Sequence, residues 1–187
     1  MNIIQHAEKY LGNREPGGWA NPEDEFKVIY FKNCPDKSLK TFLTIGVSAH
    51  VFHISKTKKV SFEFVYTVGD EVCSDLIASF LFYIGEAVIL RHKAILRGEV
   101  IPLSEEAKQK IGFDAVYCTS PIYFDDDFGS LDVTNPPTVI VCLIPIYHTE
   151  HHFIINNSWG KFEDILVEKQ PDLWLLSRPS VVDYCSC

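Results

Sequence analysis

Apolar residues recur along this chain with two periods, near two and near 3.6, and the switches between them mark out its elements. The densest apolar run is Val139-Ile140-Val141-Cys142-Leu143-Ile144, rich in β-branched residues. Such a run reads as a strand buried on both faces. Pro145 has no N–H to give a ladder, so it is expected at the strand's end or at an edge. The chain then passes through Ile146 and Tyr147 into His148-Thr149-Glu150-His151-His152. Thr149 is a candidate N-cap there, and Phe153, Ile154 and Ile155 supply the apolar repeat of a helix. Asn156, Asn157, Ser158 and Gly160 break it. The rest of the chain is organised around this strand, exit and helix.

Three earlier stretches read as strands: Phe26 to Phe31, Leu39 to Val47 and Val60 to Val68. In the last, Val60, Phe62, Phe64 and Tyr66 alternate onto one face. Gly46 marks a bulge or a close backbone approach, and the short links predict antiparallel neighbours. Val100 to Leu103 is extended, and Phe113 to Phe124 reads as strand and turn, with Pro121 limiting any ladder. The 3.6 period appears in Asn2 to Leu11, stopped by Gly12, and in a long stretch from Glu71 to about Arg97 capped by Asp70. Gly85 inside that stretch marks a place where another element approaches. A short helix is expected from Ser104 to before Gly112. A last one covers Phe162 to Val167, with Ser158 as its cap, Pro171 as its stop and an extended tail over Asp172 to Val182. These elements predict an α/β protein with antiparallel neighbouring strands, in a single domain over residues 1–187.

Composition narrows the functional classes. A hydrophobic share of 47% in 187 residues supports one domain with a real core. Acidic side chains number 25 against 17 basic ones, a formal charge of −8. That balance opposes direct nucleic-acid binding and suits a basic protein partner. The N-terminus has no basic, apolar signal pattern, and no run approaches the roughly 20 apolar residues of a membrane span. A cytoplasmic protein is expected, with its six cysteines as free thiols and Cys185 and Cys187 in a frayed tail.

Two constellations carry candidate chemistry. His148 and His152 stand at i, i+4 with Glu150 between them, which is the raw material of a metal-dependent hydrolase. The order H-T-E-H-H departs from both H-E-x-x-H and its inverse, so the better reading is a polar helix start. Asp125-Asp126-Asp127, with Asp132, lies in a long unpatterned loop and is the candidate contact for a basic partner. No cofactor, Walker or nucleophile-elbow fingerprint occurs, so no catalytic residue and no cofactor is assigned.

The chain resembles the Suppressor of fused domain family. Leu143-Ile144-Pro145-Ile146-Tyr147 followed by Glu150 matches its apolar strand, Pro-aromatic step and acidic residue, with Gly160 as the glycine of the following helix. Thr44-Ile45-Gly46-Val47-Ser48, Phe62-Glu63-Phe64 and Arg178-Pro179-Ser180 match further family steps in order. The resemblance implies a single non-enzymatic α/β (α+β) domain, with a mixed, largely antiparallel sheet flanked by helices. In animals the family member is a larger scaffold that sequesters transcription factors, with a second region for which this chain has no room. Small stand-alone members look like bacterial immunity proteins. The first expectation is therefore an antitoxin that neutralises a cognate secreted toxin, a basic nuclease for choice. The alternative is a regulatory scaffold that sequesters a host protein such as a transcription factor.

Overall fold

The computed structural model describes residues 1–182, so Cys185 and Cys187 lie outside the described residues. In chain order it holds helix α1 (Ile3–Leu11), then strands β1 (Trp19–Ala20), β2 (Lys27–Lys32), β3 (Leu39–Ile45), β4 (Phe52–His53) and β5 (Lys59–Gly69). Helix α2 (Ser74–Arg91), strand β6 (Val100–Pro102), helix α3 (Glu105–Ile111) and strand β7 (Ala115–Thr119) follow. Strands β8 (Ser130–Leu131) and β9 (Thr138–Ile146) precede helices α4 (His148–Asn156) and α5 (Trp159–Lys169). This is the expected mixed, largely antiparallel sheet with helices. No helix among the described residues is long and apolar enough to cross a membrane.

The chain divides into two compact units: Met1–Ile95 with Ser120–Cys142, and Leu96–Thr119 with the chain from Leu143 onward. In the first, the strand order is β1-β2-β3-β5-β9, with β4 also paired to β5 and β8 to β9. The pairings β1–β2, β2–β3, β3–β5, β4–β5 and β8–β9 are antiparallel, and β5 and β9 run parallel, with Ser61 to Val65 beside Thr138 to Cys142. A parallel pair cannot come from a hairpin, and β5 and β9 are indeed far apart in sequence. From Val60 to Gly69 every residue of β5 is buried. The apolar face of Val60, Phe62, Phe64 and Tyr66 is as expected. The opposite face of Ser61, Glu63, Val65 and Thr67 is buried too, so its polar groups need internal partners. Thr67 and Thr41 share one hydrogen bond of 2.9 Å, and Thr41 donates onward to the Cys34 carbonyl at 2.8 Å.

Helix α2 is shorter at both ends than its apolar stripe predicts. It starts after Cys73, not Asp70, because the buried Lys40 ammonium donates to the carbonyls of Asp70 and Val72 at 2.9 and 2.5 Å and holds them in a turn. It ends at His92, in the left-handed region at φ 51°, because the next residues turn to β4: Ala94 N–H donates to His53 O at 3.3 Å. Gly85 is a point of close approach, as expected. A Cβ there would stand 2.6 Å from the ring of Phe26, which is 1% exposed. Gly85→Ala should therefore lose about 1–2 kcal/mol, because overpacking outweighs the roughly 1 kcal/mol gain in helix propensity. Urea melts would measure it, and a stabilised variant would refute the close fit.

The second unit carries β7 between β6 and the end of β9, with β6 and β7 antiparallel. Ser104 caps α3 by accepting from Ala107 N–H, and Gly112 closes it at φ 83°. Ser158 caps α5, accepting from Lys161 N–H at 3.2 Å. The stretch after Pro171 is not extended. It runs through turns closed by Leu175 N–H to Asp172 O and Arg178 N–H to Leu175 O.

Candidate functional site

The acidic candidates sit on a braced turn. Asp126–Gly129 form one 3-10 turn, entered from Asp125, and Asp125, Asp126 and Asp127 are all exposed. Phe128, next in the same turn, is fully buried. Its ring stacks 5.9 Å from that of His6 and meets Tyr10 at 5.7 Å and Phe124 at 5.0 Å. His6 Nε2 and the Phe128 carbonyl are 3.0 Å apart, so that nitrogen is the protonated one. The aspartates thus ride on a turn pinned to α1. Beside them opens a cleft of about 660 Å³, lined by the end of α1 (Lys9, Tyr10), the β2–β3 turn (Asn33, Pro35) and Tyr123, Phe124 and Asp125. Asp132 is exposed beyond β8 and does not line it.

The histidine stretch is arranged differently from a hydrolase. Glu150 is 0% exposed and turned inward, away from metal chemistry. Its Oε1 accepts from Arg178 NH1 at 2.7 Å and Val181 N–H at 2.9 Å. Its Oε2 accepts from Arg178 NH2 at 2.8 Å and Tyr147 N–H at 2.9 Å. That last bond starts α4, so the cap is not Thr149, whose hydroxyl pairs with Ser180 at 2.9 Å. His148 and His152 stack at 6.3 Å, and both His152 nitrogens face Asn156. His148 N–H donates to Asp114 at 2.8 Å. Burial, then the neighbouring His148, lowers the pKa of His151. No group of three or more His, Cys, Asp or Glu among the described residues is placed to hold a metal ion.

Arg178 completes a buried cluster. It donates to the carbonyls of Pro145 at 2.9 Å and Pro179 at 3.0 Å, and its guanidinium lies 5.3 Å from the Phe113 ring and 5.5 Å from Tyr147. The Tyr147 hydroxyl donates to Arg178 O.

Glu63 is the counterpart in the first unit and is also 0% exposed. One oxygen accepts from Gly46 N–H at 2.8 Å, Ser48 N–H at 3.1 Å and Ser48 Oγ at 2.7 Å. The other accepts from Thr44 Oγ1 at 2.6 Å. Gly46 reaches this position at φ 116°, with Phe26 Cα 3.1 Å from where a Cβ would be. Burial raises the pKa of Glu63, and the four donors oppose that shift.

One polar cluster had no forewarning in the sequence. Glu163 on α5 accepts from Arg97 at 3.2 and 2.6 Å, Tyr117 at 2.8 Å and Thr119 at 2.9 Å. Burial would raise its pKa, but these donors win and lower it, while burial and Glu163 together raise that of Tyr117. Trp159 covers this cluster, packed on Gly98 and on the Arg97 guanidinium at 5.5 Å.

These features define a class: an α+β protein in which Glu63, Glu150 and Arg178 are buried and brace the backbone around them. Comparison with known proteins gives the family. The sequence profile described as Suppressor of fused protein (SUFU) matches residues 22–179, and the chain belongs to that family. Three solved structures share the fold. A Suppressor of fused homologue from Neisseria gonorrhoeae is 15% identical, with 98% of this chain and 96% of that one covered and a TM-score of 0.72. The Sufu–Fu complex is 12% identical, covering 96% and 90% with a TM-score of 0.71. Drosophila Suppressor of Fused is 14% identical, covering 96% of this chain but 50% of its own, with a TM-score of 0.69. None of the curated protein sequences matches the chain.

Proposed function

We propose that this chain is a non-catalytic binding protein that works by holding another protein, in the manner of a regulatory scaffold. The observation that carries this reading is the internal commitment of its motif residues: Glu63, Glu150 and Arg178 are buried, and their bonds go to the chain itself. The relative solved as the Sufu–Fu complex supports protein binding as the activity such a fold serves. The immunity reading, an antitoxin against a basic nuclease, is a narrower form of the same proposal. It draws on the charge of −8 and on Asp125, Asp126, Asp127 and Asp132 as contacts.

Affinity capture from the native cell tests both forms. A stoichiometric protein partner and no turnover are expected. A basic toxin whose growth inhibition is relieved by co-expression would select the immunity form, and a transcription factor the scaffold form. If charge steers the encounter, high salt should slow association more than it speeds dissociation. Failure to capture any protein under native conditions would overturn the reading.

A further inference from the structure

The cleft beside the acidic turn has more to offer than charge. Its volume of about 660 Å³ would hold a long side chain with its flanking backbone. Tyr10, Tyr123 and Phe124 line it, and Asp125 stands at its edge with Asp126 and Asp127 next in the chain. We propose that this cleft receives a lysine or arginine side chain of a protein partner, held between those aromatic residues and Asp125. The proposal rests on the protein-binding reading above and names the place and chemistry of the contact.

Two observations point to a cation and a third to a preformed site. The first is that the chain already places a cation there, which the partner's side chain would displace: Lys9 Nζ stands 4.6 Å from the centre of the Tyr10 ring and donates to its hydroxyl at 2.9 Å. The face of a tyrosine attracts such a charge through its quadrupole. Tyr10, and more weakly Asp127, favour the charged form of Lys9. The second is the direction of α1, whose C-terminal residues Lys9 to Gly12 line the cleft. A helix C-terminus carries partial negative charge, which favours a cation and disfavours an anion. The third is rigidity. Phe128 is buried against His6, Tyr10 and Phe124, so the turn bearing the aspartates and two of the aromatic walls are tied into one cluster. Binding to a preformed wall loses less conformational entropy than ordering a loose acidic loop.

A tetra-arginine peptide, followed by amide NMR of the full chain, tests this, with tetra-citrulline as the uncharged control. Saturable shifts are expected at Tyr10, Asn33, Tyr123 and Phe124, absent with citrulline. Asp125→Asn and Tyr123→Leu, each checked for an unchanged melting temperature, should each weaken the peptide about three-fold or more. Asp164→Asn on α5 removes the same exposed charge from a residue that does not line the cleft and should leave the affinity unchanged. Equal losses in Asp125→Asn and Asp164→Asn, or shifts spread over all acidic surface, would overturn the proposal in favour of general charge attraction. Normal capture of the native partner by the Asp125→Asn/Tyr123→Leu variant would sink the cleft and leave protein binding standing. Specific peptide binding without any capturable partner would do the reverse.

Discussion

Glu150→Ala is expected to cost the fold about 3–5 kcal/mol and to free the chain beyond Pro171 from α4. The carboxylate offsets the charge of a guanidinium that is 2% exposed, and it also accepts from the backbone of Val181 and Tyr147. Without it, Arg178 is a buried cation with only carbonyl acceptors and ring faces around it. Removing one partner of such a pair is far costlier than removing both. Arg178→Met should be severe alone, and milder when combined with Glu150→Leu, which replaces the pair by apolar bulk. A double-mutant cycle in urea reads the coupling, expected to exceed about 2 kcal/mol. Limited proteolysis should report cleavage in 171–182 in the single variants first. Single losses below about 1 kcal/mol would show that the tail is held by its turns and apolar contacts instead.

Much of this architecture is legible in the sequence because local physics sets it. The stop of α1 at Gly12, the Ser104 and Ser158 caps and the apolar run of β9 are each decided by neighbours within a few residues. The misread ends are set by distant groups. Lys40 delays the start of α2, β4 takes over the chain after His92, and Glu150 caps α4 in place of Thr149. The matched family steps carried a hint of the braces. Glu63 in the middle of an apolar strand, and an arginine before Pro179, are costly residues to bury unless each has a partner. What periodicity cannot supply is the pairing of Arg178 with Glu150, 28 residues away. The acidic turn was visible as charge. Its cleft was not, because α1, the β2–β3 turn and residues 122–125 meet only in three dimensions.

Glu63 should separate charge from hydrogen bonding in a way the Glu150 pair cannot, because its donors are neutral backbone N–H groups and hydroxyls. Glu63→Ala removes the acceptor from Gly46 N–H, Ser48 N–H and the hydroxyls of Ser48 and Thr44, and leaves a cavity beside β5. At about 1–3 kcal/mol for each stranded donor, even partial relaxation leaves an expected loss of ~4 kcal/mol. Glu63→Gln keeps an oxygen for the Gly46 and Ser48 donors and turns its amide toward Thr44 Oγ1, which already accepts from Phe64 N–H at 2.8 Å. Its cost should be about 1 kcal/mol near neutral pH, set by the displaced Thr44 proton. The pH dependence gives the sharper test. Burial raises the folded-state pKa of Glu63 above the ordinary 4.5, so the folded chain holds this proton more tightly than the unfolded one. Its contribution is therefore fully present below the unfolded pKa and is lost as pH rises through the folded value. The glutamine variant has no such loss, so its stability relative to the parent should improve as pH climbs above 4.5. Parallel urea titrations of the two proteins across that window decide it. If the parent gains on the variant with rising pH, the four donors outweigh burial, and Glu63 is held as a carboxylate throughout.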